Sequence, residues 1–416
     1  MIQNSKFKIQ NFLQRIRITI NREVARFSKT RDILTPPNAE IPREIIGTEK
    51  IAERCPYCHS NKFVKRGTRK KRLEVVQLYL CRECSRTFTA QFIKGKHFPM
   101  NLIIEGLNYY NLGFGLEETC KLLNQKFGAN PEASTLSNWV VQYSELCRYS
   151  RLRPFAIKMY KPEDTVEVMN MAHRQIYRFR YHRAKMRLVL QEFKNQHFGP
   201  LKEYLDAVSS ETPHQYFQDG LRISEIKTKF DKAQMIIRSK HNYANELAKF
   251  VLQAVSENKF RHEALQRFFI ANDSVTVASE VPVYIKKEDI EHLQNQLNFK
   301  ITEDLDKFKN KDGRILMTGH IDLMQVRNGM VHIIDFKPHA AKEKPIEQLT
   351  WYALALSRLT GLRLYEFKCG WFDEKDYFEF YPLHVVYKLK DRKKKKVRFK
   401  SGIMVEVPEE DKIKVV

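Results

Sequence analysis

Hydrophobic and polar residues between positions 315 and 337 form two runs that predict a pair of β-strands. The runs are Ile315–Val326 and Met330–Lys337, and Asn328-Gly329 lies between them. Asn and Gly both tolerate the positive φ of a type I′ turn, so this pair is a strong hairpin signal. With these two residues as the loop, Asp322 lies directly opposite Asp335, with Cβ atoms about 4.5–5.5 Å apart.

The opposed aspartates indicate a metal site, because two carboxylates held this close repel each other unless a cation lies between them. Lys337 follows Asp335 by two residues and therefore shares its face of the strand. A hard cation such as Mg²⁺ prefers oxygen ligands, and a nearby Lys can orient or deprotonate an attacking water. The alternative is an ordinary surface pair between Lys337 and Asp335. The apolar setting Ile-Ile-Asp-Phe disfavours it, since a buried unpaired charge is costly.

A third hydrophobic run, Ile346–Leu359, has the spacing of a helix and follows the hairpin. Gln348 and Tyr352 are four residues apart and therefore lie on one face of that helix. The region thus predicts a metal-binding hairpin followed by a helix that presents an amide and a phenol.

These segments resemble the PD-(D/E)XK nuclease superfamily, specifically its RecB-like branch, over residues 233–390. That branch carries a G-x-x-D motif, a hydrophobic-hydrophobic-D-x-K motif and a Q-x-x-x-Y motif in this order. Here they read Gly319-His320-Ile321-Asp322, Ile333-Ile334-Asp335-Phe336-Lys337 and Gln348-Leu349-Thr350-Trp351-Tyr352. The branch usually adds an upstream helix with a metal-binding histidine, for which His241 is the candidate. It also adds a Glu-hydrophobic-Pro strand, which Glu280-Val281-Pro282 matches.

The resemblance implies a catalytic Mg²⁺ or Mn²⁺ ion. Its implied ligands are Asp322, Asp335, the carbonyl of Phe336, His241 and Glu280. The resemblance also implies that Lys337 positions the water and that Gln348 and Tyr352 orient the substrate strand. His320 is a rival candidate for contact with metal or substrate, because it lies opposite Lys337 on the predicted hairpin. Some relatives carry an iron–sulfur cluster; with only Cys369 near this region, we expect none.

Composition sets the class of partner. The chain has 416 residues, enough for two or three domains, and a formal net charge of +24, which favours a polyanion such as DNA. Hydrophobic residues make up 43% of it, which argues against a disordered basic protein. It contains no apolar run of membrane-spanning length, no secretory signal and no ATP-binding G-x-x-x-x-G-K-[ST] motif. We expect an intracellular protein, in the cytoplasm or nucleoid if prokaryotic, with any helicase or recombinase as a separate partner.

Four of the seven cysteines form two C-x-x-C pairs within residues 47–95, which predicts a zinc ribbon. The predicted ligands are Cys55, Cys58, Cys81 and Cys84. Four thiolates fill a tetrahedral site, so this zinc would be structural. Basic residues crowd the predicted hairpin of the ribbon and suggest contact with phosphates. These residues are Lys65, Arg66, Arg69, Lys70, Lys71 and Arg72.

Three short helical patterns follow in residues 96–150, at Phe98–Asn111, Leu116–Phe127 and Ser134–Leu146. They suit a helix-turn-helix whose last helix offers Ser137, Asn138 and Gln142 to a DNA groove; the alternative is a plain helical hairpin packed on Trp139. A ribbon followed by such a unit resembles the N-terminal half of insertion-sequence transposases, over residues 50–148. No set of three spaced carboxylates for a transposase core is evident between residues 150 and 235.

The remaining segments are basic. Residues 1–46 predict an amphipathic helix and a linker, and residues 391–416 form a tail that includes Lys393–Lys396. Residues 151–232 are interpreted as a helical connector in which arginines alternate with Tyr177, Phe179 and Tyr181. Such a mixture either binds nucleic acid or covers a helix with basic side chains whose stems pack on it.

The predicted fold is a multidomain α+β or α/β chain, with a zinc ribbon, a helix-turn-helix-like region and a C-terminal restriction-endonuclease-like mixed sheet flanked by helices. The predicted function is a Mg²⁺- or Mn²⁺-dependent DNA nuclease. Two alternatives stay open: a sequence-specific DNA-binding protein with a non-catalytic nuclease fold, and a mobile-element recombinase component.

Overall fold

A small sheet near the N-terminal end and a large sheet toward the C-terminal end organise the chain. The computed structural model describes residues 54–70, 75–89, 98–226, 238–239, 241–255, 257–297, 309–310, 313–386, 397–400 and 403–406. The predicted N-terminal helix, Lys71, Arg72 and the run Lys393–Lys396 lie outside these residues. Within them, no helix is both long and apolar enough to cross a membrane.

The small sheet has three antiparallel strands in sequential order. They are β1 (Phe63–Lys70), β2 (Val75–Cys81) and β3 (Thr87–Thr89). The rings of Phe63, Tyr79 and Phe88 meet with centroids 5.4 to 5.6 Å apart and form a small apolar core. This core packs with the buried side chains of Cys55 and Cys81.

Helices and further strands make up the rest of the described chain. The helices are α1 (Met100–Leu112), α2 (Leu116–Phe127), α3 (Ala133–Gln142), α4 (Arg153–Met159), α5 (Pro162–Thr165), α6 (Arg183–Leu190), α7 (Gly199–Glu211), α8 (His214–Asp219), α9 (Tyr243–Val251), α10 (Arg261–Asn272), α11 (Lys287–Leu297), α12 (Ile346–Thr360) and α13 (Pro382–Val386). The strands are β4 (Val166–His173), β5 (Gln175–His182), β6 (Leu221–Arg222), β7 (Arg238–Ser239), β8 (Thr276–Lys286), β9 (Leu316–Arg327), β10 (Met330–Phe336), β11 (Phe367–Phe372), β12 (Tyr377–Phe380), β13 (Val397–Lys400) and β14 (Ile403–Glu406).

The large sheet is mixed, as expected. Its strand order is β4-β5-β8-β9-β10-β11-β12-β7, and the short strand β6 pairs in parallel with β9. Strands β10 and β11 are parallel and are connected through α12, whereas the other neighbours along the path are antiparallel. Strands β13 and β14, in the predicted basic tail, form a separate antiparallel pair.

Helices cover both faces of the large sheet. Met324 and Ile333 belong to an apolar core with residues of α7 and α12, whereas their neighbours Leu323 and Ile334 belong to a second core with α1, α9 and α10. Because successive residues of a strand point to opposite faces, these two cores lie on opposite sides of the sheet. The β9–β10 hairpin is therefore packed between two helical layers.

The three helices predicted between residues 98 and 146 are present as α1, α2 and α3, but they do not form a separate domain. Leu107 and Trp139 share the second core with Ile334 of the large sheet. One apolar core therefore contains residues from both sides of the domain boundary that was expected near residue 150. The amphipathic pattern of each helix predicts which of its faces is buried, but it does not predict which other helix or strand packs against that face.

The interpretation of residues 151–232 as a helical connector is wrong in its central part, since β4 and β5 form a hairpin at the edge of the large sheet. Arg178 and Arg180 are buried, and each donates to Oε1 of Glu263, at 2.6 and 2.7 Å. The alternation of aromatic and basic residues there has the two-residue period of a strand. Nearby helices provide the counter-charge that the sequence pattern could not show.

A buried polar network joins α1 and α2 to α10. Glu105 of α1 pairs with Arg267 of α10 and, at 2.7 Å, with Lys126 of α2. Asn272 at the end of α10 donates to Asn108 at 2.6 Å and accepts from Asn111 at 2.7 Å. Although burial raises the pKa of Glu105, Arg267 and Lys126 outweigh it and lower that pKa to about 2.

We predict that Glu105→Gln destabilises the protein at pH 7, because it leaves two half-buried cations, Lys126 and Arg267, without their buried counter-ion. Breaking a buried ion pair on one side costs about 3–5 kcal/mol. The contribution of Glu105 should be present above its unfolded pKa, near 4.5, and be lost as the pH falls toward 2. Thermal melting measures the effect. The matched control is Glu291→Gln, which removes an exposed pair with Lys287 and should leave the Tm almost unchanged. Equal melting temperatures for both variants would contradict this account.

Candidate functional site

The β9–β10 hairpin has the predicted turn and register. Asn328 and Gly329 have φ values of 55° and 72°, as a type I′ turn requires. Pairing runs from Met330 opposite Arg327 to Ile334 opposite Leu323. Asp322 and Asp335 are the next positions in this register. The tight turn therefore sets two carboxylates side by side, as expected from the sequence.

Both aspartates are held by local contacts. Oδ2 of Asp322 accepts a hydrogen bond of 3.3 Å from the backbone N–H of Phe336. Asp335 is 3% exposed, and its Oδ2 lies 2.8 Å from Nζ of Lys337. The predicted pair of carboxylates with an adjacent amine is therefore present, and Lys337 contacts one member directly.

Glu280 adds a third carboxylate from the neighbouring strand. Strand β8 pairs with β9 so that Ser279 faces Leu323 and Val281 faces Ile321, which sets Glu280 across from Asp322. Glu280 has a φ of 50°, an unusual conformation for a residue with a side chain. Its Oε1 accepts a hydrogen bond of 2.6 Å from Gln266 of α10. Its Oε2 is buried without a hydrogen-bond partner among the described residues.

Burial, together with a neighbouring carboxylate, raises the pKa of each of the three carboxyl groups. Burial, followed by the charge of Asp322, raises the pKa of Asp335 to about 7. Burial and the charge of Glu280 raise the pKa of Asp322 to about 6. Burial likewise raises the pKa of Glu280 to about 7, against the hydrogen bond from Gln266. Since the cost of charging these groups is high, a bound divalent cation would relieve it.

His262, and not His241, is the histidine at this site. Nε2 of His262, in the first turn of α10, lies 3.1 Å from the carbonyl oxygen of Phe336 and 3.7 Å from Oδ2 of Asp322. The predicted ligand His241 precedes α9; its side chain is 68% exposed and pairs with Glu246 at 3.3 Å. The structure therefore brings His262, and not the predicted His241, into contact with the Asp322 and Phe336 positions. The i,i+4 spacing of His262 and Gln266 on one amphipathic helix is the signal that could have found the correct residue.

The oxygen donors at this site suit a hard divalent cation, but among the described residues no three of its Asp, Glu and His ligand atoms lie within 4.8 Å of one another. Carboxylate and main-chain carbonyl oxygens are typical ligands for Mg²⁺ or Mn²⁺, whereas an imidazole is more typical of transition metals such as zinc. Adjacent ligands of an octahedral ion with bonds of about 2.1 Å are separated by about 3 Å. The distance of 3.1 Å between the Phe336 carbonyl oxygen and Nε2 of His262 is close to that value. Oε2 of Glu280, which has no hydrogen-bond partner among the described residues, supplies a further donor.

Gln348 and Tyr352 lie on one face of α12, as predicted, and Nε2 of Gln348 donates to the Tyr352 hydroxyl at 3.0 Å. The ring of Tyr352 lies against Gly319, where an added Cβ would be 2.3 Å from Cε1 of the ring. Glycine is therefore required at position 319 for the helix to approach the sheet. The charges of Asp335, Asp322 and Glu280 add to burial in raising the pKa of Tyr352, which shows that the phenol is near the carboxylates.

His320, the rival candidate, is instead held by other rings. Its Nε2 lies 2.8 Å from Nδ1 of His173, and its ring is stacked on Tyr177 with centroids 3.6 Å apart. His320 is 8% exposed. It borders the carboxylate site without reaching the ligand atoms through any contact in the described structure.

The four cysteines of the small sheet could hold a metal ion such as zinc. Their sulfurs all lie within 4.8 Å of one another, and among the described residues this is the one group of three or more Cys, His, Asp or Glu side chains that is so compact. Tetrahedral Zn–S bonds of about 2.3 Å place sulfurs about 3.8 Å apart. Sγ of Cys55 is 3.6 Å from that of Cys84, and Sγ of Cys58 is 3.5 Å from that of Cys81. Against burial, backbone N–H groups of Cys58 and Tyr57 lower the pKa of Cys55 to about 7, which favours a thiolate.

The predicted nucleic-acid contacts are at the surface where the structure describes them. Lys65, Arg66, Arg69 and Lys70 of β1 are exposed. On α3, Asn138 is exposed and Ser137 is half-buried, while the intervening Trp139 faces the core. The burial of Trp139 agrees with the alternative of a packed helix, and the exposure of Asn138 leaves that face available to DNA.

Comparisons with protein-family models, with curated proteins and with solved structures found no match for this chain. The function must therefore be argued from the site itself.

We predict one zinc ion per chain, bound by the four cysteines. Cys81→Ser should remove it, because a hydroxyl replaces a thiolate ligand. Cys120→Ser is the matched control, since Cys120 is also buried but lies outside the cluster. Elemental analysis of the purified proteins measures the content. Equal zinc in both variants would exclude this site.

We also predict that Glu280→Gln raises the Tm of the metal-free protein at pH 8, because it removes a carboxylate that is costly to charge. The folded pKa, near 7, lies above the usual 4.5, so the penalty is full above pH 7 and disappears as the pH falls toward 4.5. The gain in Tm from Glu280→Gln should therefore shrink as the pH falls from about 7 toward 4.5. Melting curves across this pH range measure it, and Glu225→Gln, at an exposed position, is the control. A gain that is independent of pH would refute the electrostatic explanation.

Proposed function

We propose that the protein is a metal-dependent DNA nuclease of the PD-(D/E)XK type, similar to its RecB-like branch. The observation that carries this proposal is the convergence of Glu280, Asp322 and Asp335 from three adjacent strands, next to Lys337. The side chain of His262 and the carbonyl of Phe336 complete the donor set. This combination supplies both a cation site and a cationic donor for phosphate chemistry.

In the proposed mechanism, Asp322, Asp335, His262 and the Phe336 carbonyl hold Mg²⁺ or Mn²⁺, with Glu280 as a further carboxylate ligand. When bound, the ion would polarise the phosphate and lower the pKa of a coordinated water. In the hydrolysis, a water oxygen would form a new bond to phosphorus as the bond to the leaving strand oxygen breaks. One strand end would keep the phosphate, and the protonated leaving oxygen would be a hydroxyl on the other. The residues of the chain arrange these groups before the substrate arrives.

Lys337 acts in this proposal as a hydrogen-bond donor rather than as a base. Burial lowers its pKa, but Asp335 and Asp322 outweigh burial and raise it. The amine therefore stays protonated at neutral pH. It would orient the water and stabilise the negative charge that develops on the pentacovalent phosphate.

The other parts of the chain would grip the DNA. Gln348 and Tyr352 would orient the scissile strand, since they form one polar pair above the carboxylates. The exposed basic residues of β1 would contact phosphates, and the zinc would hold the ribbon that carries them. The net charge of +24 favours association with the polyanion.

The decisive test is Mn²⁺- or Mg²⁺-dependent cleavage of DNA by the parent and by Asp335→Asn. Asp335→Asn should reduce the cleavage rate by more than about 100-fold. Losing a residue that only hydrogen-bonds to a metal ligand typically costs about 10- to 100-fold, and here the ligand itself is removed. Circular and linear substrates, single- and double-stranded, would separate endonuclease from exonuclease action. Asp164→Asn, at an exposed aspartate, is the control. If Asp335→Asn cuts as fast as the parent, the assignment fails.

The second candidate is a DNA-binding protein whose nuclease-like site is a scaffold. The compact four-cysteine group and the exposed basic strand β1 favour it, because both serve binding without catalysis. It predicts DNA affinity that responds to Mg²⁺ only through ionic strength, and no new DNA ends. A mobile-element recombinase component would instead cut at one defined sequence only.

A further inference from the structure

Aromatic side chains extend from the carboxylate site toward the far end of β8. Tyr177 stacks on His320, which precedes Asp322 by two residues on β9. The ring of Tyr177 is half-buried and parallel to His320, with centroids 3.6 Å apart. The next layer is His173 stacked on Phe217, with centroids 4.1 Å apart.

A second cluster of rings follows along β8. Tyr216 of α8 meets Tyr284 edge to face, with centroids 5.3 Å apart, and Phe217 lies 6.5 Å from Tyr284. Nζ of Lys286 lies 5.1 Å from the centroid of Tyr216. Tyr216, Tyr284 and Lys286 are all half-buried, so part of each side chain is exposed to solvent.

A chain of histidines fixes these rings in place. Nε2 of His173 lies 2.8 Å from Nδ1 of the exposed His214, and Nδ1 of His173 lies 2.8 Å from Nε2 of His320. Both ring nitrogens of His173 are therefore used within the chain, which leaves it no lone pair for a metal ion. The three histidines position neighbouring rings; they do not form a compact ligand cluster among the described residues.

The spacing suits a polynucleotide strand. Tyr284 follows Glu280 by four residues on the same strand, which corresponds to about 13 Å. Stacked nucleotides rise by about 3.4 Å each, so about four of them span this distance. We define the aromatic track as Tyr177, His214, Tyr216, Tyr284 and Lys286.

We infer that the aromatic track binds the unpaired bases of single-stranded DNA that leads into the carboxylate site. This inference rests on the proposed nuclease function and names its substrate. Aromatic faces bind unpaired bases by stacking whatever their sequence, whereas the bases of a duplex are already stacked within the helix. Lys286 and the nearby Arg222, which donates to the Tyr177 hydroxyl, supply positive charge for the phosphates between the bases.

The test measures binding of a fluorescent 12-nucleotide strand, and of the same sequence as a duplex, to the full zinc-loaded chain without added Mg²⁺ or Mn²⁺. Tyr216→Ala and Tyr284→Ala should each weaken single-strand binding by about tenfold and leave duplex binding unchanged. Tyr284→Phe keeps the ring and should bind like the parent. Tyr365→Ala is the matched control, because Tyr365 is a 57% exposed tyrosine outside the track. If melting shows that Tyr216→Ala is unfolded, Tyr216→Leu replaces it.

A second readout uses catalysis. With Mn²⁺ present, Tyr216→Ala and Tyr284→Ala should cleave the 12-nucleotide strand more slowly than the parent does. They should hydrolyse the p-nitrophenyl ester of thymidine 5′-phosphate at the parent's rate, because this small substrate is too short to reach Tyr284. Equal weakening of single-strand and duplex binding, or no weakening, would overturn the inference. If Asp335→Asn abolishes cleavage while the track variants bind like the parent, only the inference fails. If no DNA is cut but the track variants lose single-strand binding, only the nuclease proposal fails.

Discussion

The repulsion among three half-buried or buried carboxylates is the constraint around which the described structure is arranged. Glu280, Asp322 and Asp335 occupy neighbouring strands at one level, and burial together with the charge of one of the other two raises the pKa of each. A fold optimised for stability alone would not retain such a cluster. The surrounding elements compensate locally: Lys337 pairs with Asp335, and Gln266 donates to Glu280.

Helix α10 connects this cluster to the N-terminal half of the protein. Two of its residues, His262 and Gln266, contact the site, and Arg267 in the next position reaches the buried Glu105 of α1. The helices that resemble a helix-turn-helix are thus part of the support for α10. In the proposed nuclease, DNA bound to the outer face of α3 would contact the same helical layer that positions His262, a proposed metal ligand.

The four-cysteine group and the carboxylate site differ in chemical character. Four thiolates around one ion leave no coordination position open, so the ribbon site can only stabilise a unit whose apolar core is three rings. The carboxylate site offers harder, mainly oxygen donors, which in the proposed nuclease would share the ion with water and phosphate. In that proposal, the ribbon contributes to DNA binding, and the aromatic track would lead a strand to the carboxylate site.

The sequence by itself determined the features that depend on neighbours in the chain. The Asn328-Gly329 turn dictates the hairpin register, C-x-x-C spacing brings thiols together in pairs, and helical spacing places Gln348 beside Tyr352. Only the tertiary structure decided which distant residues join them. It selected His262 over His241, buried Arg178 and Arg180 against Glu263, and merged the N-terminal helices with the large sheet. The physical reason is that local pattern sets the period and turns of an element, whereas its partners are set by which apolar faces and charges meet when the layers pack.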